Sequence, residues 1–176
     1  MANRQILNIK NLGLVVLIIL IAALIRILPH PANFTPIAAM ALFGGATLPR
    51  KYALFLPLSA MFLSDIFIGF HSTLPYVYGS FMLTSFIGMW LKTRKNIPII
   101  IGATLISSVL FFLITNFGVW MQGVYDPGIN GLWQSYLMGI PFFRNTLLGD
   151  LFYTATFFVI YQLVVKKAFR QVYSSS

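Results

Sequence analysis

The chain has 176 residues, 59% hydrophobic and only 9% charged, with a mean hydropathy of +0.85. A soluble domain carries about 25% charged residues, so this composition excludes an ordinary soluble fold and predicts an integral membrane protein. The net charge of +9 fits basic residues flanking membrane spans, and no basic stripe with interleaved aromatics argues for nucleic acid.

Cysteine is absent, which excludes disulfides, thiolate metal sites and cysteine nucleophiles. No cleavable signal peptide is expected, because the first apolar run lacks a small-residue cleavage site and meets Arg26. The expected organisation is a single all-α transmembrane domain over residues 1–176.

A polar tail with Arg4 and Lys10 comes first, then a helix over about 12–28. The segment Leu28-Pro29-His30-Pro31-Ala32-Asn33-Phe34-Thr35-Pro36 interrupts the apolar sequence. Its three prolines remove backbone donors and hold the chain extended. Thr35 is the expected N-cap, with Pro36 at the first position of a second helix over about 36–48. That helix is short for a span, which needs about 20 residues. It is expected to be capped by polar groups inside the protein.

A third helix is expected over about 52–70, with Pro57 a kink in its first turns, and a fourth over about 75–91. A fifth covers about 97–120. A loop from Met121 to Arg144, with Asp126-Pro127-Gly128 and Trp133 and room for a short interfacial helix in part of it, leads to a sixth helix over about 145–165. Ten of the twelve basic residues then fall on one face, which places both termini in the cytoplasm by the positive-inside rule.

Counting depth at about 1.5 Å per residue puts Arg26, Asp65, Asn116 and Asp150 in one layer near the outer end of the bundle. Arg144, Asn145, His30, Asn33, Thr35 and His71 lie just above it. Intramembrane charge is costly, about 2.5–3.5 kcal/mol at the centre, so such groups face inward and are paired or wet. The layer reads as an outward-facing substrate pocket. It reads equally as structural glue, with Arg26 and Arg144 paired to Asp65 and Asp150. Trp120, Trp133, Tyr76 and Tyr78 fit an interfacial aromatic belt, Trp120 being also a candidate for stacking on a flat ligand. His30 and His71 with Asp65 could ligate a metal if the loops meet, although loop histidines are more often hydrogen-bonding groups. No metal or other cofactor is assigned. Ala41 and Gly45 allow close approach of another helix, internal or from a second subunit. There is no His-Glu-x-x-His, Gly-x-Ser-x-Gly or phosphate loop, and no glutamate at all, so an enzyme is not expected.

Several motifs are familiar together. The run Arg26-Ile27-Leu28-Pro29-His30-Pro31-Ala32-Asn33-Phe34-Thr35-Pro36 continuing to Ala46 resembles a family of small bacterial membrane proteins grouped as transport proteins. So do Ser64-Asp65, Gly69-Phe70-His71, Asn116-Phe117-Gly118-Val119-Trp120, and Pro141-Phe142-Phe143-Arg144-Asn145 continuing to Asp150. The wider resemblance is to the substrate-binding S-components of energy-coupling factor vitamin transporters. It implies six membrane helices in the bacterial inner membrane and a vitamin-like substrate bound near the outer face. It also implies a transmembrane coupling subunit and ATPases as partners. The Ala-x-x-x-Ala docking signature of many S-components is incomplete in helix 1, where Arg26 and Ile27 stand four residues after Ala22 and Ala23; Ala41 and Gly45 are the candidate substitutes. The alternatives are a standalone carrier, proton-coupled through Asp65 or Asp150, and a structural membrane protein without a ligand.

Overall fold

The computed structural model describes the backbone of residues 2–174 and the side chains of residues 12–165. Within that range the chain is helical: α1 (Ala2–Ile27), α2 (Ile37–Thr47), α3 (Arg50–Ala53), α4 (Phe55–Ile68), α5 (Leu74–Leu91), α6 (Ile97–Met121) and α7 (Ile129–Ser174).

Three stretches are long and apolar enough to cross a membrane: Arg50–Ile68, Ile97–Met121 and the Ile129–Val165 part of α7. The apolar part of α1, Leu12–Ile27, and all of α2 are shorter. Length and composition therefore qualify three of the six expected spans. The surface is apolar too. Phe62, Phe67, Ile106, Val109, Phe152 and Val159 are all exposed, while Ser80, Thr84, Ser85, Thr104 and Ser107 are buried. A water-soluble monomer rarely exposes so much contiguous apolar surface. A bundle bathed in lipid does, and packs its helices through small residues and hydroxyls.

At the centre lies α2, buried along Ile37 to Ala46. It crosses α5 at glycines: a Cβ on Gly88 would strike the Leu42 carbonyl oxygen, and one on Gly45 the Ser85 carbonyl oxygen. Gly44 sits against Pro57 in the same way, with only 2.6 Å from an added Cβ to the proline ring. The close partner of Ala41 and Gly45 is thus internal. Of the two expected options the structure takes the internal one, and α2 is enclosed along Ile37 to Ala46.

Four local readings of the sequence are corrected. α1 begins at Ala2 and α7 continues to Ser174, so residues 2–11 and 166–174, expected in polar tails, are helical. Thr35 does not cap α2. Pro36 is the N-cap and its carbonyl accepts the Met40 N–H at 2.8 Å, so the helix starts one residue later than a Thr35 cap requires. The helix expected over 52–70 is broken at Leu54, because Pro57 cannot donate to the Ala53 carbonyl one turn before it. The largest difference is the expected loop before Arg144. Gly128, at φ +112°, ends a turn, and helix α7 runs unbroken from Ile129 through Pro141. Pro141 forfeits one backbone hydrogen bond, whereas unwinding the segment in apolar surroundings would strand many.

Helices α6 and α7 are antiparallel neighbours. Ser108 of α6 meets Asp150 of α7, and eight residues further along α6 the carbonyl of Asn116 accepts from Ser135, fifteen residues earlier in α7.

The α2–α5 crossing makes a direct prediction. Gly88→Ala should lower stability in detergent by at least about 2 kcal/mol, since the neighbour it meets is backbone that cannot yield. Gly79→Ala, on the same helix but in open space, should be neutral or stabilise by up to about 1 kcal/mol. Thermal unfolding followed by tryptophan fluorescence distinguishes them, and equal melting of the two variants would refute the crossing.

Candidate functional site

At one end of the bundle a cavity of about 830 Å³ opens between the loop after α1, the loop after α4, and helices α6 and α7. Pockets for small molecules run about 300–1,000 Å³. Its outer wall carries the exposed residues His30, Asn33 and His71, and its deep end reaches the buried Ala38, Phe81 and Asp150. Between them stand Phe111, Phe112, Phe142 and Phe143, with Asn116, Thr35 and Thr146 as polar points.

Arg26, in the last turn of α1, is buried and lines the cavity. Its Nη1 lies 2.5 Å from Asp65 Oδ1, donates to Ser64 Oγ at 2.5 Å and reaches the Met61 carbonyl at 3.3 Å. Asp65 is fully buried, and Tyr78 donates its hydroxyl to Oδ2 at 2.6 Å. Both carboxylate oxygens are thus engaged, one by a charge, and α1, α4 and α5 are tied together at this level.

Asp150 is buried as deeply, at 3% exposure, but differently supported. Ser108 Oγ lies 2.7 Å from Oδ2 and also 3.0 Å from the Thr104 carbonyl, so its one proton serves two acceptors. Among the described residues no cation lies within ion-pair distance of Asp150. The expected Arg144–Asp150 pair does not form. The two are six residues apart on one helix, about 240° around its axis, and Arg144 points out to an exposed position.

The proline loop is held over α7. Asn145 donates Nδ2 to the Ala32 carbonyl at 2.9 Å. Phe34 packs on Phe152 and Tyr153, with ring centroids 6.0 and 5.6 Å apart. Gly149 lets the Phe34 backbone approach, since a Cβ there would sit 3.2 Å from Phe34 Cα. Asn33 takes the left-handed conformation, φ +62°, closing a turn in which the Phe34 N–H donates to the Pro31 carbonyl at 3.0 Å.

Of the eleven residues singled out from the sequence, seven line this cavity: Arg26, His30, Asn33, Thr35, His71, Asn116 and Asp150. Asp65 stands behind Arg26, Asn145 positions the loop, and Arg144 and Trp120 lie off the cavity. Trp120 packs beside Phe117 instead, ring centroids 5.6 Å apart. Tyr78, assigned to an interfacial belt, is in fact the hydroxyl partner of Asp65. The histidines are spent locally, His30 Nδ1 at 2.6 Å from the Leu28 carbonyl and His71 Nδ1 at 2.7 Å from Thr73 Oγ1. Among the described residues no cluster of three metal-ligating side chains forms. Sequence reasoning missed Ser108 and the four-phenylalanine wall. The signal for Ser108 was its i+4 spacing from Thr104 in an otherwise apolar helix; phenylalanines in a membrane helix carry none.

Removing one partner of a buried ion pair strands the other, typically at 3–5 kcal/mol. Arg26→Leu should therefore destabilise by about that amount. Adding Asp65→Asn should recover a large part of it. A double-mutant cycle on unfolding in detergent measures this, and additive single effects would show the pair to be energetically idle.

Residues 7–172 match a family described as a family of unknown function, DUF6580. No curated protein and no solved structure matches the chain. With nearly its whole length inside that match, the chain belongs to the DUF6580 family.

Proposed function

We propose that this protein is the substrate-binding membrane subunit of an uptake system for a small organic nutrient, a vitamin or its precursor. The observation that carries the reading is the cavity. It is large enough for such a molecule, walled by aromatic rings, and supplied with a few converging polar groups from four parts of the chain. A bundle that needed only structural ion pairs would have no reason to leave about 830 Å³ open beside them.

In this reading the chain spans the bacterial inner membrane six times with both termini in the cytoplasm, the basic residues setting the orientation. The short α2 is carried within the bundle, which lets it sit at membrane depth without being a full apolar span itself. The cavity then opens outward. Arg26, Asn116, Thr35 and Asp150 orient the ligand, and the loop from His30 to Thr35 forms part of the cover. The similarity to energy-coupling factor S-components supplies the rest of the proposal: a transmembrane coupling subunit and ATPases move the captured substrate inward. Because α2 is enclosed, the coupling subunit would be met by the lipid-facing sides of other helices.

One feature favours a second reading, a standalone proton-coupled carrier. A buried carboxylate bonded only to a hydroxyl is a ready proton site, and Asp150 is such a group. Uptake into proteoliposomes containing this chain alone, driven by a pH gradient, would decide for the carrier.

Native mass spectrometry of protein gently purified from its own membrane tests the binding reading. The expected result is one retained small molecule, with retention reduced at least about ten-fold in Phe112→Ala, a variant that removes cavity wall without touching either carboxylate. Empty wild-type protein from nutrient-rich cells, or equal retention by the variant, would overturn it.

A further inference from the structure

We infer that the cavity is built for an organic cation and that Asp150 is the residue that recognises its charge. This rests on the ligand-binding reading above and specifies the chemistry of its ligand.

The inference follows from how the three buried charges are distributed. Arg26 alone would suggest an anionic ligand. Its guanidinium, however, already faces Asp65, which is fully buried and held on its other oxygen by Tyr78. That pair is neutral as a unit. Asp150 has a hydroxyl and no countercharge among the described residues. One guanidinium against two carboxylates leaves the site with a single negative charge in excess when Asp150 is ionised. The two histidines do not change this. They stand at the exposed rim, each with Nδ1 committed within its own loop.

An ionised carboxylate in so dry a place is costly unless a cation joins it. The described residues supply none, and the cavity is where one can arrive. Its walls suit that cation. On α6, Phe111 and Phe112 follow Ser108 by three and four residues, one turn above it. On α7, Phe143 precedes Asp150 by seven residues, two turns above it on the same face. The rings of Phe112 and Phe143 approach to 4.7 Å between centroids. Aromatic faces attract ammonium and similar cations when water is excluded. The arrangement is a carboxylate floor beneath an aromatic wall, suited to an amine or a cationic heterocycle with an apolar body.

The test uses the full chain in lipid nanodiscs and three radiolabelled probes of one skeleton: phenethylammonium, phenylacetate and 2-phenylethanol. Equilibrium dialysis at millimolar probe gives their affinities. The expected order is cation, alcohol, anion, with phenethylammonium at least about ten-fold tighter than 2-phenylethanol. In Asp150→Asn that advantage should shrink to within about two-fold, with the affinity for 2-phenylethanol unchanged. Tightest binding of phenylacetate, no preference among the probes, or a cation preference that survives in Asp150→Asn would overturn the charge assignment while leaving a binding cavity in place. Failure of all three probes to bind would overturn the binding reading together with this one. The wild-type ranking decides the charge class even if the variant does not fold.

Discussion

Helix α2 has eleven residues, about 16 Å of rise, roughly half the thickness of a hydrocarbon core. A helix that short, placed at the centre of an apolar bundle, must end inside the protein and have its ends satisfied there. The structure does this at the C-terminal end. There the Leu48 N–H donates to the Gly44 carbonyl at 2.9 Å, and Lys92 reaches in from the loop after α5 to donate Nζ to the Leu48 carbonyl at 2.8 Å. At the N-terminal end no side chain caps the helix, and the chain enters through the proline loop beside the cavity. The enclosure also dictates the small residues. Gly45 and Gly88 allow α2 and α5 to touch backbone to backbone, and Gly44 admits Pro57. Because α2 stops short, the space beyond its N-terminus is left to loops and side chains. The cavity lies there, with Ile37 and Ala38 of α2 in its lining.

The same geometry explains why the two buried carboxylates differ. Asp65 is on α4, facing α1 and α5, where an arginine at the end of one helix and a tyrosine on the other reach both its oxygens. Asp150 is on α7 facing α6, a helix whose only buried polar side chains are small hydroxyls. A hydroxyl can share a proton with a carboxylate but cannot neutralise it. The first aspartate is therefore a fixed part of the helix packing, and the second lines the cavity with no countercharge among the described residues.

Much of the fold was legible because its signals are local. The helix expected from about 97 starts at Ile97 as α6, where the Asn96 side chain accepts the Ile99 N–H as its cap. The basic loops and the proline segment delimited the C-terminal end of α1 and both ends of α2 and α5 to within a residue or two, whereas α1 begins at Ala2, well before the expected start near residue 12. Residues 121–144 were misread because hydropathy drops through Gln122, Asp126, Asn130 and Gln134, and because Pro141 suggests an end. Tertiary packing overrides both. Gly139 presses against the Asn116 amide, and Tyr136 donates to the Leu113 carbonyl at 3.0 Å, so the segment is held helical along α6. For the site, depth counting brought most of the polar residues to one end without knowing their neighbours. It could not say which arginine meets which aspartate, since that depends on helix rotation.

The rim of the cavity is tied at several points, which bears on how a ligand site would work here. The proline loop is fixed to α7 by Asn145, Phe34 and the gap at Gly149. The first turns of α7 are fixed to α6 through Ser135 and Tyr136. The loop after α4 is fixed to the end of α6 by Ser72, whose hydroxyl donates to Gln122 Oε1 at 2.5 Å. These ties come from three different segments and each spans a long stretch of sequence, so the space they surround is set by the fold rather than gathered around a ligand. A preformed site spends less of its binding free energy on ordering loops and side chains. On the binding reading proposed above, affinity would then be governed by the groups on its walls, above all by Asp150, a buried carboxylate with no countercharge among the described residues.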